Sequence, residues 1–209
     1  MPTGGAERTE VVSQERSILA EILEQAPTSQ RDEITRAYRF AEAAHAEHTR
    51  DEGTPFIEHP LRVASILVAE LGCCDLDLIT AAFNHDVLED CPAITMAQLT
   101  EVIGRRACAM VVDVTKLQVP SEEKAARDRA YLDRLPGLPW ESRLLKLADR
   151  IDNLRSVPAS GDAAKARRYL EVSLAEFVPL AATTSPAAER LVLQACDRIR
   201  DYLADVAPH

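Results

Sequence analysis

The sequence predicts an all-α fold, and three observations support this prediction. Aromatic residues make up only 4% of the 209 residues, while alanine and leucine are abundant, and this balance favours helix over sheet. Apolar residues recur at spacings of three and four along most of the chain, as they do on one face of a helix. We find no convincing strict alternation of apolar and polar residues, the pattern that predicts a strand.

Breaker residues divide the first part of the chain into predicted helices. Residues 9–25 carry an apolar face and end before Pro27, so we expect one appended helix within an N-terminal extension at 1–30. The main domain is then expected at 31–209 and begins with a helix at about 31–48. His45 and His48 are expected to be ordinary residues on the face of that helix.

The remaining elements follow from caps and apolar stripes. Thr95 and Gln98 form a capping-box pattern that opens a helix ending near Gly104. The charged stretch at 121–135 predicts a mobile segment. The other predicted helices cover 60–71, 76–90 and about 139–156, followed by two long helices at the end of the chain. Together they predict a helical bundle.

Charge and cysteine content exclude several classes of protein. The net charge of −10 and the pI near 5.0 disfavour nucleic acids and anionic membranes, because both bind through Lys and Arg. No stretch approaches the roughly 20 apolar residues of a membrane span, and the first residues lack the features of a signal peptide. Five cysteines without a C-x-x-C pair predict free thiols in a reducing cytoplasm.

One short segment concentrates titratable side chains. An apolar stretch contains four titratable residues in the six positions 85–90, namely His85, Asp86, Glu89 and Asp90. Their spacings of three and four place them on one helical face. Such charges repel each other and are costly to bury unless a cation lies among them. The segment therefore predicts a divalent metal ion.

Two further ligands are predicted outside this segment. His59 stands at the start of a helix, and Asp149 shares one face of the 139–156 helix with Lys146, Asn153 and Ser156. Two imidazoles and two carboxylates suit a six-coordinate Mn²⁺ or Fe²⁺ better than a closed tetrahedral Zn²⁺ site. We expect the open positions to hold water and substrate phosphate oxygens.

Three motifs carry a family resemblance. The segments EGTPFIEHP at 52–60, NHDVLEDC at 84–91 and LLKLADRIDNLR at 144–155 resemble the hydrolase domain of the bifunctional alarmone synthetase/hydrolases and the small alarmone hydrolases of the HD superfamily. The similarity covers about residues 35–185. It implies an HD-type helical bundle that uses Mn²⁺ to hydrolyse the 3′-pyrophosphate of guanosine tetra- and pentaphosphate.

The resemblance also implies roles for site residues. We expect the metal to be Mn²⁺, or else Fe²⁺ or another divalent ion. Its expected ligands are His59, His85, Asp86 and Asp149. Glu89 and Asp90 match the pair that orients or deprotonates the attacking water. Six residues are expected to bind the nucleotide substrate, and two of them are lysines included for their positive charge. They are Arg50, Lys116, Lys146, Asn153, Ser156 and Tyr169.

Departures from the family pattern leave alternatives open. Thr49-Arg50 stands where two basic residues are common, Asn84 replaces a leucine, and Cys91 replaces a threonine and is expected to be a small packing residue. The alternative substrates are an adenosine alarmone, NADPH or a nucleoside monophosphate, and the alternative from another class is a catalytically silent nucleotide sensor. The oligomeric state is also open, with a homo-oligomer among the alternatives.

Overall fold

The fold is all-α, as predicted. A computed structural model describes the backbone of residues 4–51, 53–116 and 118–206, with side chains described from residue 15 onward. Within these residues the only β-type pairing is an isolated antiparallel bridge between Thr49 and Pro55. The α-helices are α1 Gly4–Gln25, α2 Arg31–Ala44, α3 Glu58–Ser65, α4 Leu76–Asn84, α5 Val87–Asp90, α6 Met96–Val114, α7 Lys124–Arg134, α8 Trp140–Ser156, α9 Ala163–Val172, α10 Val178–Ala182 and α11 Pro186–Asp205.

Two helices are extended by a π-helical turn. Residues Ile66–Glu70 continue α3, and Ser173–Phe177 join α9 to α10. Short 3₁₀ turns connect several of the other helices. None of the helices in the described part of the chain is long and apolar enough to cross a membrane.

Helix α1 contacts the rest of the bundle. Its last turns pack against α3, and Ile22 is only 2% exposed within the common core. The appended helix thus shares its apolar face with the main domain. The boundary at residue 30 stays a prediction.

The predicted capping box forms, but one predicted helix end is wrong. The backbone N–H of Leu78 donates to Asp75 at the start of α4, and Thr95 with Gln98 forms the capping box of α6. Helix α6 does not end near Gly104; it bends there, where Gly104 adopts φ 83°, and continues to Val114. Buried side chains on both sides of the bend, such as Ile103 and Val111, hold the second segment against the core.

Two further segments differ from their predictions. The helix predicted at 76–90 is broken at His85 and Asp86, between α4 and α5. The stretch at 121–135, predicted as mobile, contains α7. Tyr131 anchors α7, because its buried ring reaches the core and its hydroxyl donates to the carbonyl oxygen of Val114 at 2.9 Å. One buried aromatic side chain thus secures an otherwise polar helix.

Helix α8 lies at the centre of the architecture and positions the site. Its apolar stripe of Leu144, Leu147, Ile151 and Leu154 is buried, and α8 packs against α3, α4, α6 and α11. Since α3, the end of α4 and α8 each carry predicted metal ligands, this packing brings those ligands to one place.

Candidate metal centre and active site

Four predicted ligands, His59, His85, Asp86 and Asp149, converge between α3, α4 and α8. The Nε2 atoms of His59 and His85 are 3.2 Å apart. An Asp86 carboxylate oxygen lies 3.5 Å from Nε2 of His59 and 3.2 Å from Nε2 of His85. An Asp149 oxygen lies 3.3 Å and 3.7 Å from the same two atoms. These donor atoms come from three elements that are far apart in the sequence.

Hydrogen bonds at the opposite ring nitrogens orient both imidazoles. Nδ1 of His59 lies 2.7 Å from Oδ2 of Asp152, and Nδ1 of His85 lies 2.8 Å from the carbonyl oxygen of Ala82. Both acceptors require a proton on Nδ1, which leaves the lone pair on Nε2. The lone pairs therefore point into the space shared with Asp86 and Asp149, as metal ligation requires.

Asp152 is in turn held by Arg62. The Arg62 Nε–H donates to Oδ1 of Asp152 at 2.7 Å, and Asp152 is only 2% exposed. Sequence reasoning missed both residues, although Asp152 follows Asp149 by three positions and Arg62 follows His59 by three. That spacing on a helix was the available signal.

Charges around the centre perturb its titration. Complete burial acts to lower the pKa of His85, but the carboxylates of Asp86 and Asp149 outweigh burial and raise this pKa well above its usual value. Burial acts to raise the pKa of Asp149, but Lys146 and the two histidines lower it well below the usual range. Lys146 donates to Asp149 at 2.6 Å. The Asp149 carboxylate thus stays ionised in a buried position.

The donor set fits a hard or borderline divalent cation. Two buried imidazoles present Nε2, and two ionised carboxylates face them across 3.2–3.7 Å. Without a cation, compensation for these two carboxylates falls to Lys146 and to protonation of His85. Nitrogen and carboxylate oxygen donors without sulfur are typical of Mn²⁺ and Fe²⁺ sites.

Glu89 and Asp90 project from the short helix α5 beside this centre. Glu89 accepts a hydrogen bond from the backbone N–H of Lys116 at 3.0 Å, which holds its carboxylate in place. Partial burial, followed by the negative charges of Asp86 and Glu89, raises the pKa of Asp90 to about 6. A carboxyl group with this pKa can exchange a proton near neutral pH.

A tight turn carries Arg50 to Asn153 on α8. Thr49 pairs with Pro55 across this turn, and Arg50 between them contacts α8. The Arg50 guanidinium donates to the side-chain oxygen of Asn153 at 3.0 Å, and Asn153 donates to Asp149. Both predicted substrate-binding residues therefore lie within one hydrogen bond of each other and beside a predicted ligand.

Lys116 and Tyr169 line a second region rich in cations, and Lys146 lies next to it. A cavity of about 260 Å³ is lined by Lys116, Tyr131, Arg150, Arg168 and Tyr169, among others. The ammonium groups of Lys116 and Lys146 lie 5.2 Å and 5.4 Å from the ring centre of Tyr131. Arg150 lies 4.9 Å from the ring centre of Tyr169. The cavity therefore combines positive charge with aromatic faces.

Ser156 lies elsewhere. It lines a separate cavity of about 300 Å³ with Arg62, Glu70 and Arg155, and its hydroxyl donates to the backbone oxygen of Asp152 at 2.8 Å. The structure does not place it in the same cavity as Lys116 and Tyr169.

Asn84, the departure before the His-Asp pair, is buried and donates to the carbonyl oxygens of Ala37 and Thr80, so it ties α4 to α2.

Comparisons with known proteins identify a matching family model and several relatives. A family model described as "HD domain" matches residues 37–184. The guanosine-3′,5′-bis(diphosphate) 3′-pyrophosphohydrolase MESH1 of Danio rerio is 34% identical over 158 residues, which cover 73% of this chain and 86% of that protein. The enzyme of the same activity name from Aquifex aeolicus is 35% identical, covering 72% of this chain and 21% of the relative. The bifunctional (p)ppGpp synthase/hydrolase SpoT of Escherichia coli K12 is 35% identical, covering 74% and 22%.

A solved structure shares the fold. It is described as a metazoan ortholog of SpoT that hydrolyses ppGpp, and it superposes with a TM-score of 0.70 over 79% of this chain and 94% of that chain, at 24% identity. The chain spans about a fifth of the length of the bacterial relatives named above.

Fold and site together define an all-α protein with a histidine–aspartate centre suited to a divalent metal. The chain belongs to the HD domain family. The resemblance read from the three sequence motifs is thereby confirmed.

Proposed function

We propose that this protein is a Mn²⁺-dependent phosphohydrolase that removes the 3′-pyrophosphate from guanosine tetra- or pentaphosphate. The observation that carries the proposal is the convergence of His59, His85, Asp86 and Asp149 beside Glu89 and Asp90. The relative from Danio rerio, which bears this activity in its name and matches this chain over 86% of its length, supports the choice of substrate.

The metal would be held by His59, His85, Asp86 and Asp149. When bound, such an ion lowers the pKa of water and polarises a phosphoryl oxygen. Asp90, whose carboxyl group has a pKa near 6, would accept a proton from the attacking water. Glu89, held through the Lys116 N–H, would keep that water in line with the scissile P–O bond.

Positive side chains would bind the anionic substrate against the negative field of the protein. Lys116 and Lys146 both lie close to the ring of Tyr131, and burial followed by the proximity of Lys146 lowers the pKa of Lys116. A phosphate between two such cations relieves their repulsion, which favours binding. Tyr169 would stack on the nucleoside, and Arg50 with Asn153 would contact it from the side of the metal. The role predicted for Ser156 receives no support from its cavity.

An activity assay with matched variants tests the proposal. Purified protein with Mn²⁺ is incubated with guanosine and adenosine alarmones, NADPH and nucleoside monophosphates, and products are resolved by anion exchange. We expect pyrophosphate release from the guanosine alarmones. Glu89→Gln with Asp90→Asn is expected to lower kcat at least ~10²-fold with metal content unchanged, the scale of lost acid–base help.

The matched control is Glu101→Gln with Asp197→Asn, which makes the same chemical changes at exposed positions on α6 and α11. This control should turn over like the wild type. Equal turnover in the Glu89/Asp90 variant would remove these residues from the mechanism. Intact alarmones with dephosphorylation of a monophosphate would establish the nucleotidase alternative, and binding without turnover of any nucleotide would establish the silent sensor.

A further inference from the structure

A second cluster of metal-ligating side chains lies next to the centre described above. His45 directly follows α2, His48 lies three residues further, and Cys91 directly follows α5. Nδ1 of His45 is 3.0 Å from Nδ1 of His48 and 3.7 Å from Sγ of Cys91, and the three residues each offer one donor atom within 4.8 Å of the other two. The prediction that both histidines lie on a helix face is wrong, because α2 ends at Ala44.

The chemistry of the cluster matches zinc. One thiolate and two imidazoles are among the donors that Zn²⁺ prefers, with bonds of about 2.3 Å to sulfur and about 2.0–2.1 Å to nitrogen. Tetrahedral geometry then separates the donor atoms by roughly 3.3–3.6 Å. The separations of 3.0 Å and 3.7 Å bracket that range, so the donors need only small shifts to bind one ion.

Burial prepares the cluster for a metal. His45 is 2% exposed and Cys91 is 7% exposed, whereas His48 is only partly buried and leaves an entry path. The ring of His45 stacks on Phe56, with ring centres 4.3 Å apart and planes 19° apart, which fixes the direction of its Nδ1. These two features make the cluster a partly closed pocket with preoriented donors.

We propose that His45, His48 and Cys91 form a second metal site, which takes Zn²⁺ with a fourth position open to water. On binding, the Cys91 thiol releases its proton to solvent and the thiolate and both Nδ1 lone pairs bind the ion. The proposal is independent of the hydrolase function, because none of the three residues has a role in that reaction.

The position of this site indicates a structural role for the bound ion. His48 directly precedes the turn that carries Arg50, and Cys91 directly follows Asp90. Phe56 stacks on His45 and contacts His59 edge-on, with ring centres 6.1 Å apart. An ion on the cluster would therefore tie the Arg50 turn to the end of α5 and hold Phe56 between the two centres.

The alternative is a cluster held by hydrogen bonds alone. The Cys91 thiol can donate to the carbonyl oxygen of Ala44, 3.3 Å away, and one histidine can donate to the other. Cobalt separates the two accounts, because a cysteine thiolate bound to Co²⁺ gives a near-ultraviolet charge-transfer band that imidazole and carboxylate ligands do not give.

The experiment uses the full chain with Cys73 and Cys74 changed to serine, since these thiols are not buried. We expect a thiolate–Co²⁺ band in this background and in its Cys108→Ser control, which changes a buried cysteine on α6. Cys91→Ser should lose the band and one equivalent of bound Zn²⁺. His48→Gln should weaken Zn²⁺ binding more than about 100-fold, beyond the loss caused by removing a supporting hydrogen bond.

Absence of the band in the background protein, or its persistence in Cys91→Ser, would overturn the proposal. Circular dichroism verifies that Cys91→Ser is folded. If Cys91→Ser is not folded, His48→Gln is the deciding variant, because His48 is a partly exposed loop residue. Unchanged Zn²⁺ stoichiometry and affinity in His48→Gln would then overturn the proposal. Hydrolase activity enters none of these readouts, so failure of one proposal is distinguishable from failure of the other.

Discussion

Replacing Asp152 with asparagine would test how the metal centre is oriented. Asp152 accepts hydrogen bonds from Nδ1 of His59 and from Nε of Arg62, both at 2.7 Å, while 2% exposed. A carboxylate accepts on both oxygens, so both neighbours can donate to it. Asparagine keeps the shape but offers one oxygen and one NH₂ group.

Neither orientation of the amide satisfies both neighbours. With the oxygen toward Arg62, the NH₂ group faces His59 and moves the imidazole proton to Nε2, which removes the lone pair needed by a metal. With the oxygen toward His59, the NH₂ group opposes the Arg62 donor inside a buried site. Losing such support costs 10–100-fold in metal affinity, which is about 1.4–2.7 kcal/mol.

The measurement is the Kd for Mn²⁺, obtained by competition with a chelating indicator at constant pH. We expect Asp152→Asn to weaken binding by that factor while the far-ultraviolet circular dichroism stays unchanged. Asp197→Asn is the matched control, because it makes the same change at an exposed ion pair on α11, where the effect should be small. A folded Asp152→Asn protein with a Kd within twofold of wild type would refute the reasoning.

Three further predictions follow from the same site. Removing the metal by chelation should lower Tm by roughly 5–10 °C relative to protein with Mn²⁺ at 100 times Kd, because such binding contributes about 2.7 kcal/mol; an unchanged Tm in differential scanning calorimetry would contradict this. In the metal-free protein the raised pKa of His85 stabilises the fold below pH ~6.5, and this contribution is lost as pH rises through the raised value; urea titrations should show the free energy of unfolding falling as pH rises above ~6.5, and a rise would be inconsistent with the assignment. Tyr169→Ala should raise KM for the alarmone about 5–150-fold, since base stacking contributes about 1–3 kcal/mol, while Tyr169→Phe stays near wild type; equal KM values for the two variants would exclude stacking.

Local patterns in the sequence predicted most of the elements and the four side chains that converge at the centre. The stripe of α8 and the capping box of α6 depend on residues three and four apart, and their interactions form within a single turn of helix. The motifs around His59, His85 and Asp149 likewise lie within short segments, and the four side chains predicted from them do converge. The chemistry of these side chains also indicated a metal site, because grouped carboxylates and imidazoles in apolar segments favour a cation among them.

The packing of the helices decided which distant side chains meet, and local sequence patterns do not contain that information. His59 and Asp152 are 93 positions apart, so their hydrogen bond exists only because α3 packs on α8. Cys91 reaches His45 over 46 positions, and the break between α4 and α5 that places Cys91 there has no clear local signal. Tyr131 similarly secures a helix whose sequence is mostly polar. Contacts between distant segments depend on how helices cross, and crossing is decided by the complementary shapes of many side chains at once, which no short stretch of sequence contains.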